Sequence, residues 1–425
     1  MYKSRGWQLL LAAILSLAGG AARGQLLPPT PTLPPTVGGP LGGIGRIGGD
    51  ALGTTAETLQ GVRATAAGLA EARVDRFEAL VRANRDRLEM TPQGPAVRGE
   101  VIAIDPDPAI LAAAQQAGFG RLGDETIEGI GVHAVTLGVP RGWSVQRALS
   151  RLQQLAPAGT FAANHLHGQS GATPLAAGTA LAMAEGRPVG AAAVGIIDGG
   201  VAAHPSLRAS VSQRGFAAGA PAPSAHGTAV ASLISGEGPV QGAAPGTGLV
   251  VADIYGRDPA GGNALALARA IGWMAARHVP VVAISLVGPV NPLVARAVAV
   301  AQARGVRIVA AVGNDGRAAP PAYPASYPGV IAVTGVDRRN RVLIEAGRAL
   351  HLDYAAPAEI GAASLNGREA PMRGTSFAVP LVAGRLAAHI REPDPISALD
   401  SEASERGRRD FGRGLICGAC RGARR

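Results

Sequence analysis

Four polar residues stand in short, glycine-punctuated settings along this 425-residue chain: Asp198 in IIDGG, His226 in HGTAVASLISG, Asn314 in VAAVGNDG and Ser376 in RGTSFAVPLVAG. Singly, each has an ordinary explanation. An Asp before two glycines forms turns, Asn-Asp-Gly is a turn signal, and a His or Ser ahead of a helical stretch caps it or faces solvent. Together they fill the roles that attack by an alcohol on an acyl carbon requires. These are a hydroxyl, an imidazole to take its proton, a carboxylate to orient that imidazole, and donors for the oxyanion. Ser376 reads as the start of a helix running to about His389, where backbone N–H groups and the helix dipole favour developing negative charge. The only lysine is Lys3, so the formal charge of +10 rests on arginine. That excludes a Walker lysine for phosphate, a Schiff-base lysine and a Ser-Lys hydrolase.

The elements that must carry these residues lie from position 189 onward. Apolar strands are expected at 190–197, 248–255, 279–286, 306–312 and 330–336, alternating with helices at 226–234, 264–277 and 293–304. Strands so continuously apolar are buried on both faces, and helical crossovers between them require a mostly parallel sheet with helices on both faces, an α/β fold. Sites in such sheets form at the C-terminal strand ends, where Asp198 and Asn314 fall. Before this unit, residues 97–168 run strand, helix, strand, strand, helix, strand, the order of a small α+β ferredoxin-like domain. The small-residue stretch 169–188 reads as an exposed, flexible linker.

The ordered motifs around Asp198, His226, Asn314 and Ser376 resemble the subtilisin-like serine proteases, and the likeness extends over about 189–391, including HPSL at His204, ISLVGP at Ser285 and YPASYPGVIAVTGVD from Tyr323. The resemblance implies a serine endopeptidase that cleaves peptide or protein substrates. In it Asp198 orients His226, His226 is general base and then acid, Ser376 attacks, and Asn314 with the Ser376 N–H holds the oxyanion. It further implies that Ser285, Leu286, Val287 and Gly288 wall the substrate cleft and pair with an extended peptide, and that Gly313 borders the primary pocket. Residues 97–168, ending in ANHLH, look like the family's inhibitory propeptide, with that strand product-like in the cleft and the domain acting as an intramolecular inhibitor. Two positions depart from the family pattern. Gly199 follows Asp198 where Ser or Thr is common, and Val287 stands where many members have Gly. No acidic cluster marks a calcium site, so no metal and no cofactor are expected.

Lys3 and Arg5, the apolar run 9–17 and the small residues up to Gly24 match a cleavable signal peptide over 1–24, too short in its apolar part to span a membrane. Export to periplasm, cell surface or medium is the expectation. Residues 25–54 form a Pro/Gly-rich spacer and 55–92 an amphipathic helical segment, while 392–425 read as an Arg-rich tail with weak attraction to an anionic envelope surface. Cys417 and Cys420 form a C-x-x-C pair best read as a small terminal loop, closed by a disulfide or left as thiols. A hydrophobic fraction of 47% and a charged fraction of 16% exclude a wholly disordered chain. With 3% aromatics there is no stacking platform for nucleic acid, which is not an expected partner. A monomer is expected. An α/β-hydrolase reading fails for want of G-x-S-x-G. The alternative left standing is a catalytically silent subtilisin fold that binds peptides or assists folding.

Overall fold

The computed structural model describes residues 68–69, 71–170, 183–184 and 194–421, which belong to one compact unit. The expected signal peptide, the spacer and most of the linker lie outside the described residues.

The helical stretch expected over 55–92 is a helix at 71–83 (α1), and it gives way to a strand at Leu88–Thr91 (β1). Pro92 blocks further helix, and a two-residue turn sends the chain back as Gly94–Ile104 (β2), placing Leu88 opposite Val97. Leu88 is buried there with Val97 and Ala260, an apolar contact that a continued helix would forgo. There follow Pro108–Gln116 (α2), Gly120–Thr126 (β3), His133–Gly138 (β4), Val145–Leu155 (α3) and Thr160–His165 (β5). Asp107 and Ser144 cap the two helices by accepting from the N–H groups of Ile110 and Arg147. The first strand after α2, β3 (GRLGDET), is a polar edge strand without an apolar signal. The sheet is antiparallel, in the order β1-β2-β4-β3 with β5 also paired to β2. Val101, Ala103, Val135 and Leu137 face α2 and α3, while Ile102, Ile104, Ala134 and Ala162 join the core of the next layer.

A short strand, Gly168–Gln169 (β6), ends this part of the chain. The second layer begins with Val194–Asp198 (β7) and Val211–Gly215 (β8), followed by Ala225–Ser235 (α4), Leu249–Asp253 (β9), Ala264–Ala276 (α5), Val281–Ile284 (β10) and Leu286–Val287 (β11). It continues with Pro292–Ala303 (α6), Arg307–Ala311 (β12), Ile331–Val336 (β13) and Tyr354–Pro357 (β14). The large sheet runs β14-β13-β12-β10-β7-β9-β8, every neighbouring pair parallel. The expected α/β architecture therefore stands. Its two edge strands escaped the pattern because VSQRG is polar and YAAP is short. Ile197, Val282, Ile284 and Ala310 pack with α5 and α6, whereas Ile196, Val281, Ala283 and Val309 pack with α4 and the later Val379–Ala388 (α7). A hairpin of Glu359–Ala363 (β15) and Glu369–Arg373 (β16), then a 3-10 turn at Thr375–Phe377, precede α7.

Residues 392–421 are not a free tail, which corrects the sequence expectation. Pro395–Glu402 (α8) buries Leu399, and Phe411 and Leu415 pack with Val336 and Ala355. The Ile416 N–H donates to the Ala355 carbonyl at 2.8 Å. Arginines expected to face an anionic surface are engaged within the layer: Arg413 with Asp400 and Arg408 with Asp410, each at 3.0 Å, and Arg421 with the Gly361 carbonyl at 2.8 Å. Apolar residues interleaved among the arginines had a sheet edge to cover. Cys417 and Cys420 are joined as a disulfide.

Candidate active site

Asp198 closes β7, which lies between β10 and β9, and it is fully buried. Its carboxylate accepts from the Gly199 N–H at 2.7 Å and from His226 Nδ1 at 2.8 Å (Oδ2) and 3.0 Å (Oδ1). His226 occupies the first turn of α4, whose cap is Ser224, accepting from the Gly227 N–H. Ser376 lies in the 3-10 turn ahead of α7 and not in the helix itself. That turn is fastened from three sides. The Thr375 N–H donates to Asn314 Oδ1 at 2.9 Å, Thr375 Oγ1 donates to the Gly313 carbonyl at 3.2 Å, and Ser285 Oγ donates to the Ser376 carbonyl at 2.9 Å. The His226 and Phe377 rings are 5.3 Å apart, which brings the imidazole beside the nucleophile's turn.

One expected contact is not made. Ser376 Oγ donates to Ser170 Oγ at 3.0 Å, not to His226, and His226 Nε2 has no hydrogen-bond partner. The reason is that the cleft is occupied by the chain itself. β6 pairs antiparallel with β11, Gln169 opposite Leu286 and Gly168 opposite Val287, and the Ser170 N–H donates to the Ser285 carbonyl at 3.2 Å. The expected cleft wall at 285–288 thus carries an extended strand. It is Ser170, three residues beyond the ANHLH segment, that contacts Ser376. The Ser170 carbonyl accepts from the Ser376 N–H at 3.1 Å and from Asn314 Nδ2. Two donors converge on one carbonyl oxygen, the arrangement that stabilises an oxyanion.

The opposite rim comes from the segment after β9, which the sequence reading missed. The His167 N–H donates to the Gly262 carbonyl, and Tyr255 Oη donates to the His167 carbonyl, both at 2.8 Å. Asp253 fixes this rim, accepting from the N–H groups of Tyr255 and Gly256 at 2.9 Å and of Ala222 at 2.8 Å. Position 262 must be glycine. Its φ is +73°, and a Cβ there would lie 2.4 Å from the Tyr255 ring and 2.5 Å from the His167 carbonyl oxygen. Burial pushes the His165 and His167 imidazoles down to about 4. Neither ring nitrogen of His167 has a partner, while His165 Nε2 meets Thr91 Oγ1 at 3.1 Å.

Beside this strand, Val287, Gly288, Gly313 and Tyr323 line a cavity of about 360 Å³ that Arg73 and Phe77 of α1 roof over. Arg73 reaches Asp315 at 3.1 Å and Arg76 does so at 2.5 Å. His204, the rival imidazole, lies in a separate turn and accepts from the Ser206 N–H at 3.1 Å.

The model of the Subtilase family matches residues 190–403, just over half of the chain. The chain belongs to the subtilase family. Over 218 residues this subtilase is 33% identical to subtilisin BL of Lederbergia lenta, covering 48% of the chain and 77% of that protein. It is 32% identical to M-protease of Shouchella clausii over the same share of its own length, and there it spans about half, 54%, of the relative. Among solved structures, fervidolysin from Fervidobacterium pennivorans superposes with a TM-score of 0.61 at 20% identity, covering 79% of this chain and 62% of that one. The epidermin leader peptide processing serine protease of Staphylococcus aureus gives 0.56 at 16% identity, covering 75% and 97%. At such identities these two establish the fold alone. Ser170, Gln169, Gly262 and Tyr255 are the cleft residues that the sequence did not announce. Only the proximity of 168–170 to the expected linker hinted at them.

Proposed function

We propose that this subtilase is an exported serine endopeptidase made as a self-inhibited zymogen, and that the bond it cleaves first is its own Ser170–Gly171. The observation that carries the reading is the Ser170 carbonyl held between the Ser376 N–H and Asn314 Nδ2. In this reading Ser376 Oγ turns from Ser170 Oγ to His226 Nε2, loses its proton there and attacks the Ser170 carbonyl carbon. His226, oriented by Asp198, returns the proton to the Gly171 nitrogen as the peptide bond breaks. Water then hydrolyses the Ser376 ester by the same relay. The unpartnered Nε2 suits this role, since it must be free to accept. The new carboxylate would end residues 88–170, which remain seated as an inhibitor.

Three observations support the inhibitory part. Taking β2, β3, β4 and β5 as first to fourth, the sheet order is fourth-first-third-second, that of a ferredoxin-like domain. One face of that sheet shares its core with α5 and α6. The likeness to fervidolysin also covers more of the chain than residues 190–425 contain. Later substrates would be peptides laid in the same cleft between β11 and Gly262, with Gly313 at the primary pocket. Residues 1–24 would direct export, with 25–54 as spacer and 171–188 as the segment freed by cleavage.

The second reading, a silent subtilisin fold, draws on the missing Ser376–His226 hydrogen bond. A fluorophosphonate probe separates the two, because only a working relay labels Ser376. The main experiment is expression of wild type beside Ser376→Ala, with N-terminal sequencing of the products. A mature form beginning at Gly171 in wild type alone is the expected result. The same form from Ser376→Ala would assign the cut to another protease and remove the proposal.

A further inference from the structure

The buried carboxylate of Asp198 receives a donor from outside its own layer. Beside the Gly199 N–H and His226, its Oδ1 accepts from Gln169 Nε2 at 3.0 Å. Gln169 directly precedes Ser170, the residue whose carbonyl sits between the two oxyanion donors. Residue 199 offers no hydroxyl that could do the same. It is glycine, and a Cβ built there would lie 2.5 Å from Ser224 Cβ and 3.6 Å from Gln169 Nε2. A side chain at 199 is thus crowded out, and the occupant's carboxamide stands beside the position. Hydrogen bonds to an ionised acceptor in a fully buried setting are stronger than those between neutral groups, so this donor has leverage that a surface amide lacks.

We propose that this subtilase selects a carboxamide side chain, glutamine first, at the residue just before the one whose carbonyl is attacked, because that amide completes the hydrogen bonding of Asp198. The inference rests on the reading of Ser170–Gly171 as the bond cleaved, and it adds a substrate class to it. With Gly199 N–H and the amide both on Oδ1, which also lies 3.0 Å from His226 Nδ1, the carboxylate is held so that Oδ2 makes the shorter contact with His226 Nδ1, at 2.8 Å. The positive imidazole that forms as Ser376 attacks depends on that alignment, so the amide acts more on kcat than on KM. Methionine at this place has a similar length and no donor. Glutamate puts a second carboxylate against a buried one.

The test uses processed wild-type enzyme, its active sites counted by fluorophosphonate labelling, and chromogenic peptides of sequence His-Gly-X-Ser with X as Gln, Met or Glu. The Gln peptide is expected to be cleaved about tenfold faster than the Met peptide, chiefly in kcat, with Glu slower again. In the full chain, Gln169→Met should slow formation of the Gly171 form by a similar factor and Gln169→Glu by more. Equal kcat for Gln and Met peptides, within twofold, would overturn the selection while leaving the protease reading intact. Absence of both processing and peptide cleavage in wild type would instead overturn the protease reading and this inference with it.

Discussion

The edge of the parallel sheet and the strand that lies across it are held by different forces. At the edge, Asp198 and Ser376 are buried and Asn314 is partly buried; the Asp198 and Asn314 side chains accept from backbone N–H groups, and the Ser376 carbonyl accepts from Ser285 Oγ. The crossing strand is held mainly through its own backbone: Ser170 to Ser285, β6 to β11, His167 to Gly262 and Tyr255. Burial holds its two histidines in the neutral form. Function at the edge therefore depends on particular side-chain atoms, whereas the strand is sequence-tolerant except where burial or a charge intervenes. In the proposed reading, one region carries out the chemistry and the other fills its cleft.

The largest test of that contrast strikes the edge. In the proposed reading Asn314→Ala removes one of two oxyanion donors, so self-cleavage should slow by about 100- to 1,000-fold, a magnitude that belongs to the corresponding donor of subtilisin. Timed gels of the Gly171 form measure it, and an unchanged rate would place the oxyanion elsewhere. Acid strikes the strand. His165 and His167 titrate near 4 when packed, against about 6.5 when free. Their contribution to the closed state is whole above about pH 6.5 and lost as pH falls toward 4, by up to about 300-fold for one imidazole. Size-exclusion of the cleaved complex from pH 7 to 4 should show the N-terminal part released in acid, with His167→Phe retaining it to lower pH. Release that ignores pH would mean that the imidazoles carry no weight.

A smaller effect is expected at the second rim. Tyr255→Phe removes the donor to the fourth carbonyl counted back from the cleaved bond. It should lower kcat/KM about 3- to 10-fold for peptides that reach that far and leave shorter ones unchanged. Equal losses on both lengths would point to a folding defect. The smallest concerns α1, where Arg73→Ala with Arg76→Ala should raise the inhibition constant of the N-terminal part about 2- to 5-fold, an effect that salt erases. A constant independent of both would show that the Asp315 pairs do not hold the helix.

The apolar runs of β7, β9, β10, β12 and β13 are long enough, and separated by helical enough stretches, that a parallel sheet was the only way to bury them. Asp198 and Asn314 stand at its edge because they follow those runs, while His226 and Ser376 are brought there by the turns that open α4 and precede α7. The polar or short strands β3, β8 and β14 gave no such signal, since edge strands need only one buried face and use whatever residues neighbours allow. Leu88 fits helical spacing as well as strand alternation, and only pairing with Val97 decided between them. The arginines of the C-terminal segment looked solvent-directed until Phe411 and Leu415 found Val336 and Ala355.

What the sequence by itself determined is the inventory and order of chemical groups, because a hydroxyl, an imidazole, a carboxylate and a carboxamide are fixed by residue type. Which hydroxyl faces which acceptor was decided only by the tertiary structure. Ser376 turns to Ser170, Gln169 reaches Asp198 and Tyr255 meets the His167 carbonyl because a strand from one sheet lies in the cleft of another, and hydrogen bonds between segments distant in sequence are set by that docking.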